Sequence, residues 1–484
     1  MINHLVLFKK YEIMKIEEYK SLIKKAENSK NLHSSDTYRL NYHLMPKVGG
    51  LGDPNGLCQV KETYHLGYIY SPIKFELEGR SPCVWKQFTT KDFINYEDQE
   101  IFIYPDSPRD RDGVYSGSMI YENNKFYAYY TGNVRHEGNH DYITSGREQN
   151  VMRVESEDGI NFENKTLLMV NEDFPKNLSQ HVRDPQVFKY DNSYYMVIGA
   201  RSLDDKGCAI VYKTEDLKNF KEINILQTDE KFGYMWECPD LIELNGKSFL
   251  IACPQGIEHE KFHFQNAHQC GAFLIDGDFR KNNKIKSFQE FDYGFDFYAA
   301  RTFLDEKGRR ILIGWMGMPE ISYALTPTSK NGWDQCLSMP RVLIEKDKHI
   351  YQKPLEEFKN LRKSHKNFED NLFENSLTFE MSINLKKEEG LLIKLRKDCS
   401  LKYDSNRKIL TLDMGTCGHG RNIRKMKLES LSNLRIFSDT SSLEIFVNNG
   451  YATMSTRIFD LESKVQVQTK NALIDFYELG GFKF

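Results

Sequence analysis

Hydrophobic and polar positions between residues 60 and 315 follow one repeated pattern. A short polar turn leads into a run in which aromatic and β-branched side chains alternate with small or polar ones. The turns Lys61-Glu62-Thr63, Glu122-Asn123-Asn124, Asp191-Asn192-Ser193, Asn245-Gly246 and Glu306-Lys307-Gly308 open the runs 64–70, 126–130, 194–199, 248–253 and 310–315. The unit occurs five times, with turns near residues 62, 123, 191, 245 and 306. A repeat of this size built on aromatic hairpins predicts the blades of a β-propeller, whose innermost strands all face one channel. From about residue 368 the pattern becomes plain period-two alternation, in 379–385, 391–395, 408–412, 434–438 and 443–447. Asn448-Asn449-Gly450 is a hairpin turn into 452–459, and together these runs predict a β-sandwich of roughly 115 residues.

The expected organisation is therefore all-β: a five-bladed propeller over 35–344 and a C-terminal sandwich over 368–484. Ahead of them, 1–34 reads as an amphipathic helical segment ending near Lys30. Between them, 345–367 reads as a charged linker that contains Pro354 and a short helix over 355–363. Almost no helix is expected between 35 and 340.

Composition narrows the function classes. The 484-residue chain has 66 basic and 69 acidic residues, a net charge of −3, which provides no field to recruit nucleic acid or an anionic membrane. No window approaches the ~20 apolar residues that span a bilayer. At the start, Lys9 and Lys10 follow the apolar run, the reverse of a secretion signal. The nine cysteines are scattered and lack metal-site spacing, which predicts reduced, packed thiols and a cytoplasmic protein. A monomer or homodimer is expected.

Three acidic motifs precede the repeated hairpins: Asp53-Pro54-Asn55-Gly56, Arg183-Asp184-Pro185 and Glu237-Cys238-Pro239-Asp240. Each has a bland reading by itself. Asp-Pro-Asn-Gly is a turn signature, Arg183-Asp184 a neighbouring ion pair, and Glu237 a paired strand carboxylate. Their equivalent placement before different hairpins favours convergence on the channel, and two carboxylates facing one cleft is what glycosidic bond cleavage requires. A competing motif, His259-Glu260-Lys261-Phe262-His263, fits the zinc peptidase pattern. That chemistry needs a helix and a third ligand. The segment lies between Pro254-Gln255-Gly256 and Gly271 and reads better as a surface loop, as does Cys417-Gly418-His419-Gly420. Of the aromatics near the acidic motifs (Trp85, Trp236, Phe297, Tyr298 and Trp315) most read as blade core, with Trp85 and Trp236 the candidates for sugar contact.

These motifs resemble glycoside hydrolase family 32, the invertase, sucrose-6-phosphate hydrolase and fructanase family, from about His43 to the C-terminus. The resemblance is carried by the three acidic motifs and by Tyr64-His65-Leu66, Ser116-Gly117-Ser118, Tyr130-Thr131-Gly132-Asn133 and Pro254-Gln255-Gly256. Gly294-Phe295-Asp296-Phe297-Tyr298-Ala299, Ile313-Gly314-Trp315-Met316-Gly317, Leu434-Arg435-Ile436-Phe437 and Ser442-Leu443-Glu444-Ile445-Phe446 extend it. It implies a retaining β-fructofuranosidase with no metal or organic cofactor, acting on a small saccharide. Asp53 would be the nucleophile, Glu237 the acid and base, and Asp184 the residue that binds fructose hydroxyls, with the Asp53 and Glu237 carboxyls ~5–5.5 Å apart. Arg183, Trp85, Ser116, Gly117, Trp236, Asp296, Tyr298 and Arg301 would contact substrate.

Several positions depart from the family pattern. Gly50-Leu51-Gly52 replaces Trp-Met-Asn, Ile69 stands where a substrate-contacting Gln is usual, Ala300-Arg301 replaces Pro-Gln, and Trp85-Lys86-Gln87 replaces Trp-Gly-His. The departures leave open a shifted β-fructofuranosidase, a hydrolase of a related furanoside and a sugar-binding homologue without turnover. Lys47, Lys86 and Arg301 are candidates to receive a substrate phosphate, each also readable as a solvated surface charge.

Overall fold

The structure is a computed structural model that describes residues 13–29, 36–75, 82–281 and 284–484. Five antiparallel sheets form the blades of a propeller, each running outward in chain order from an inner strand. The inner strands are Gly49–Val60 in blade I, Val114–Glu122 in II, Leu178–Tyr190 in III, Met235–Leu244 in IV and Tyr298–Leu304 in V. The repeated runs of the sequence are the second strands, Thr63–Ser71, Lys125–Arg135, Ser193–Ser202, Lys247–Gln255 and Arg310–Trp315. In blades II, III and IV the joining turns hold two consecutive residues in the left-handed region: Asn123 and Asn124, Asp191 and Asn192, Asn245 and Gly246. A two-residue turn needs positive φ at both positions to match strand twist, which is why Asn, Asp and Gly mark the repeat.

The core of the propeller lies between blades rather than inside them. Trp85, Val114 and Tyr130 fill the I–II interface, Tyr129, Val182 and Met196 the II–III interface, and Val197, Trp236 and Phe273 the III–IV interface. Ile251, Phe297 and Leu312 pack between IV and V, and Tyr68, Phe303 and Ile311 between V and I. Each sheet therefore needs apolar side chains on both faces, which explains the density of aromatics in the second strands. Between V and I the two-residue strand Trp333–Asp334 leaves blade V and pairs in parallel with Gly49 and Gly50.

The sandwich is organised by one long strand, Lys464–Glu478. Its first part pairs with Leu391–Leu395 and its last part with Phe379–Leu385, while Lys366–Asn375 lies along its other edge. Leu401, Ile436, Ile445 and Val467 are among its fully buried core. The segment expected as a linker from 345 is not one at its start. Arg341–Lys346 and His349–Pro354 pair as the outer strands of blade V. Arg341 and Glu345 are buried in this pair, whereas Lys346, Asp347, Lys348 and Lys353 are exposed at its turn and on its edge strand, as an edge requires, and this run of charge is what read as a linker. The helix expected over 355–363 is a 3-10 turn, Glu356–Leu361. The N-terminal helix spans Ile16–Ser29, with Tyr19 buried against Tyr104; residues 13–15 ahead of it are not helical, and the rest of the segment expected to be helical falls outside the described residues.

Candidate active site

All five inner strands break register with their hairpin partners. The breaks fall at Leu51/Pro54, Tyr115/Gly117, Arg183/Gln186, Glu237/Asp240 and Tyr298/Arg301. A bulge turns a strand locally and re-aims its side chains. Asp184, Cys238 and Ala299 take positive φ there. Pro54, Pro185 and Pro239 follow the bulged residues Asp53, Asp184 and Cys238, and proline suits a position whose N–H would have no ladder partner. Asp-Pro-Asn-Gly is therefore part of an inner strand and not a hairpin turn.

Side-chain hydrogen bonds stitch the bulged strands to one another. Gly117 N donates to Asn55 Oδ1 at 2.7 Å, Val187 N to Ser118 Oγ at 2.8 Å, Leu241 N to Gln186 Oε1 at 2.8 Å and Thr302 N to Asp240 Oδ2 at 2.6 Å. Each link joins one blade to the next, from I through V. Such bonds replace the ladder bonds lost at the bulges and fix the height of each strand relative to its neighbour.

This frame brings Asp53, Asp184 and Glu237 together. Cys238 lies among them: its N–H donates to Asp184 Oδ2 at 2.9 Å, its Sγ approaches Asp53 Oδ2 at 3.8 Å, and Glu237 precedes it. Ser116 Oγ donates to Asp53 Oδ2 at 2.6 Å, and Asn55 Nδ2 holds the Asp53 carbonyl at 2.8 Å. Glu237 accepts from Arg183 Nε at 3.0 Å and Nη2 at 2.6 Å on one oxygen, and from Gln255 at 2.8 Å and Tyr298 at 2.6 Å on the other. Asp184 N donates to Thr131 Oγ1 at 2.8 Å.

Protonation follows from these contacts. Burial pushes the Asp53 carboxyl up to about 7, with Asp184 and Glu237 adding to it and the Ser116 hydrogen bond opposing. Burial acts on Glu237 in the same sense, but the Arg183 pair and the Tyr298 hydroxyl outweigh it and hold Glu237 below the usual carboxylate range. Asp184 is raised by burial in spite of Arg183. In the free pocket the proton of this cluster thus rests away from Glu237. Three neighbouring carboxylates, held at different protonation levels by named neighbours, are the arrangement that acid–base chemistry needs.

The N-terminal domain model of glycosyl hydrolases family 32 matches residues 43–354 and its C-terminal domain model residues 345–475. This chain belongs to glycoside hydrolase family 32. It is 33% identical over 459 residues to the sucrose-6-phosphate hydrolase of Bacillus subtilis, covering 91% of this chain and 93% of that one. With the enzyme of that name from Staphylococcus xylosus it is 33% identical, covering 96% and 94%. The structure of sucrose-6-phosphate hydrolase from Lactobacillus gasseri superimposes with a TM-score of 0.86 at 26% identity, over 97% of this chain and 98% of that chain. A family 32 β-fructofuranosidase of Bombyx mori gives 0.83 at 28% identity, over 96% and 99%.

Not every residue expected to touch substrate in this family 32 chain faces the pocket. Trp85 and Trp236 are fully buried between blades; their indole N–H groups go to the Tyr115 and Phe232 carbonyls, so neither can stack on a sugar. Asp296 is fully buried in a two-pronged pair with Arg421 of the sandwich, at 2.6 and 2.7 Å. Arg301, almost wholly buried, donates to the main-chain carbonyls of Pro239 and Asp184, clamping the two acidic strands from beneath. Lys47 and Lys86 both pair with Asp98. Gly117 serves through its backbone: a Cβ there would lie 1.9 Å from the Tyr129 carbonyl oxygen. The His259–His263 segment is not helical, and His263 pairs with Glu290 at 2.8 Å. Two contacts of the acidic cluster went unread in the sequence, Gln255 and Cys238, although both lie in motifs that carried the resemblance.

Proposed function

We propose that this chain hydrolyses the β-fructofuranosyl bond of sucrose or sucrose 6-phosphate by retaining double displacement. The observation that carries the proposal is the grouping of Asp53, Asp184 and Glu237 around Cys238. Asp53, ionised and oriented by Ser116, attacks the anomeric carbon of the fructosyl unit. Glu237 protonates the departing glycosidic oxygen and then deprotonates the water that releases fructose. Asp184 binds fructosyl hydroxyls, and its charge favours the oxocarbenium-like transition state. Tyr298 and Gln255 keep Glu237 aimed, while Arg183 sets its proton affinity. The sucrose-6-phosphate hydrolases it resembles support the substrate class.

The three carboxylates come from one chain, which suits a monomer or a homodimer. Nine unpaired cysteines fit a reducing, cytoplasmic setting, and among the described residues no helix is long and apolar enough to cross a membrane.

The test is fructose release from both sugars by the wild type and by Asp53→Asn and Glu237→Gln, alongside a fructoside with an activated leaving group. Both variants lose about three or more orders of magnitude on sucrose while staying folded. Glu237→Gln keeps much more of its rate on the activated substrate, which needs no proton to depart. Equal losses of Glu237→Gln on both substrates refute the acid assignment.

A further inference from the structure

Arginines collect on the wall beside Glu237. The leaving sugar must lie there, because the acid has to reach the glycosidic oxygen at hydrogen-bond distance. Arg183 turns two of its nitrogens to Glu237, and its third, Nη1, points away toward Gln149 Oε1 at 3.3 Å and His181 Nδ1 at 2.9 Å. His181 Nε2 in turn reaches the Tyr142 carbonyl at 2.8 Å, which assigns the ring proton to Nε2 and the lone pair to the arginine. Burial and the charges of Arg183 and Arg147 bring His181 down to about 3, so it stays neutral. Arg135 lies 5.4 Å over the Tyr142 ring.

Arg147 has no comparable partner. It is 8% exposed, and its Nε has no hydrogen-bond acceptor. Among the described residues no carboxylate pairs with it. The nearby Glu148 is taken by Arg109 at 3.0 Å and His136 at 2.9 Å, and Glu237 by Arg183. Its cross-strand neighbour is another arginine, Arg135. Burial pushes the nearby Tyr115 phenol up, and the charges of Arg147, Arg135 and Arg183 all oppose that shift. Directly opposed like charges are unfavourable, and a buried guanidinium without a counter-charge costs more. An incoming oxyanion removes both penalties, and the planar guanidinium fork matches phosphate geometry.

We propose that Arg147, with Arg135 beside it, receives a phosphomonoester carried by the leaving sugar, while Arg183, its donors committed to Glu237, Gln149 and His181, adds only its charge to the wall. This assignment rests on the fructosyl-hydrolase reading and deepens it by naming the residues that would select a phosphorylated substrate. Lys47, Lys86 and Arg301, the basic residues first suggested by the sequence, are already engaged elsewhere. The positive wall also opposes nothing in unphosphorylated sucrose, so that sugar remains a substrate without the added attraction.

The deciding measurement compares Arg147→Ala with wild type on sucrose and on sucrose phosphorylated at the glucosyl 6-position, with inorganic phosphate as an inhibitor of sucrose hydrolysis. Loss of a charge-assisted bidentate contact lowers kcat/KM for the phosphorylated sugar by about 10- to 100-fold, mainly through KM, and moves sucrose far less. Phosphate inhibition weakens in parallel, and Arg147→Lys recovers part of the loss. Equal losses on both sugars, or undiminished phosphate inhibition in folded Arg147→Ala, overturn the proposal. Should Arg147→Ala fail to fold, the exposed Arg135→Ala carries the same comparison with a smaller expected loss. If the wild type cleaves neither sugar, the hydrolase reading fails by itself, and phosphate binding to wild type and Arg147→Ala by calorimetry still decides the site.

Discussion

At the residue scale, the site inverts the proton arrangement that the proposed mechanism needs. Asp53 is pushed up to about 7 while Glu237 is held low, yet attack as proposed requires Asp53 ionised and Glu237 protonated. Both arrangements carry one proton, so the pair titrates as a unit. The one-proton state is lost as pH rises through about 7 and, at the acid end, only below the usual carboxylate range. A plot of kcat/KM against pH for sucrose is therefore a bell with its alkaline limb near 7. Ser116 lowers the Asp53 value through its hydrogen bond. Ser116→Ala thus moves the alkaline limb upward and reduces kcat/KM at neutral pH about 10-fold, the worth of one charged hydrogen bond. An unmoved limb in that variant would dissociate Ser116 from the titration.

At the element scale, five strand bulges aim the site and four side-chain stitches hold it. Asn55→Ala leaves the Gly117 N–H buried without an acceptor and frees the Asp53 carbonyl. Denaturant unfolding should show a loss of about 1–3 kcal/mol, with turnover falling as well. The first two strands of blade I also contain two of the departures from the family pattern, Gly50-Leu51-Gly52 and Ile69. Gly52 does not have positive φ, and a Cβ built on it meets Ile69 Cβ and Cγ2 at 3.4 Å. The missing amide at 52 and the apolar residue at 69 are therefore one packed feature. Gly52→Asn alone is crowded by Ile69, whereas Gly52→Asn with Ile69→Gln should raise sucrose kcat/KM about 10-fold, more than the single changes combined. A folded double variant with no gain would favour a related furanoside as substrate.

At the scale of the whole molecule, buried charge joins propeller to sandwich. Asp296 and Arg421 are both inaccessible to solvent, and Arg341 reaches Glu444 at 2.6 Å and Asp292 at 3.4 Å. Removing one partner leaves an uncompensated buried charge. Arg421→Met should cost about 3–5 kcal/mol in denaturant unfolding, and adding Asp296→Asn should return part of it. Asp296 therefore reads in the sequence like a site residue for a structural reason: its position is constrained by the domain interface rather than by sugar.

Turn residues that tolerate positive φ and two-faced apolar runs are local properties, so the five hairpins, six of the sandwich strands and the three acidic motifs were legible without coordinates. Lys366–Asn375, Cys399–Asp404, Ile423–Lys427 and the long Lys464–Glu478 were not, because charged and polar residues interrupt their alternation. The outer strands of blade V were not, because charges on an edge pair look like a linker until its partner strand is known. The direction of individual side chains was decided only in the tertiary structure. Trp85 and Trp236 are as aromatic as any sugar platform, but neighbouring blades bury them. Arg301 and Arg147 are indistinguishable as charges in the chain. The first ends on two backbone carbonyls, and among the described residues no carboxylate pairs with the second, whose Nε has no acceptor, because partners supplied by strands distant in sequence fix where a long side chain can discharge its hydrogen bonds.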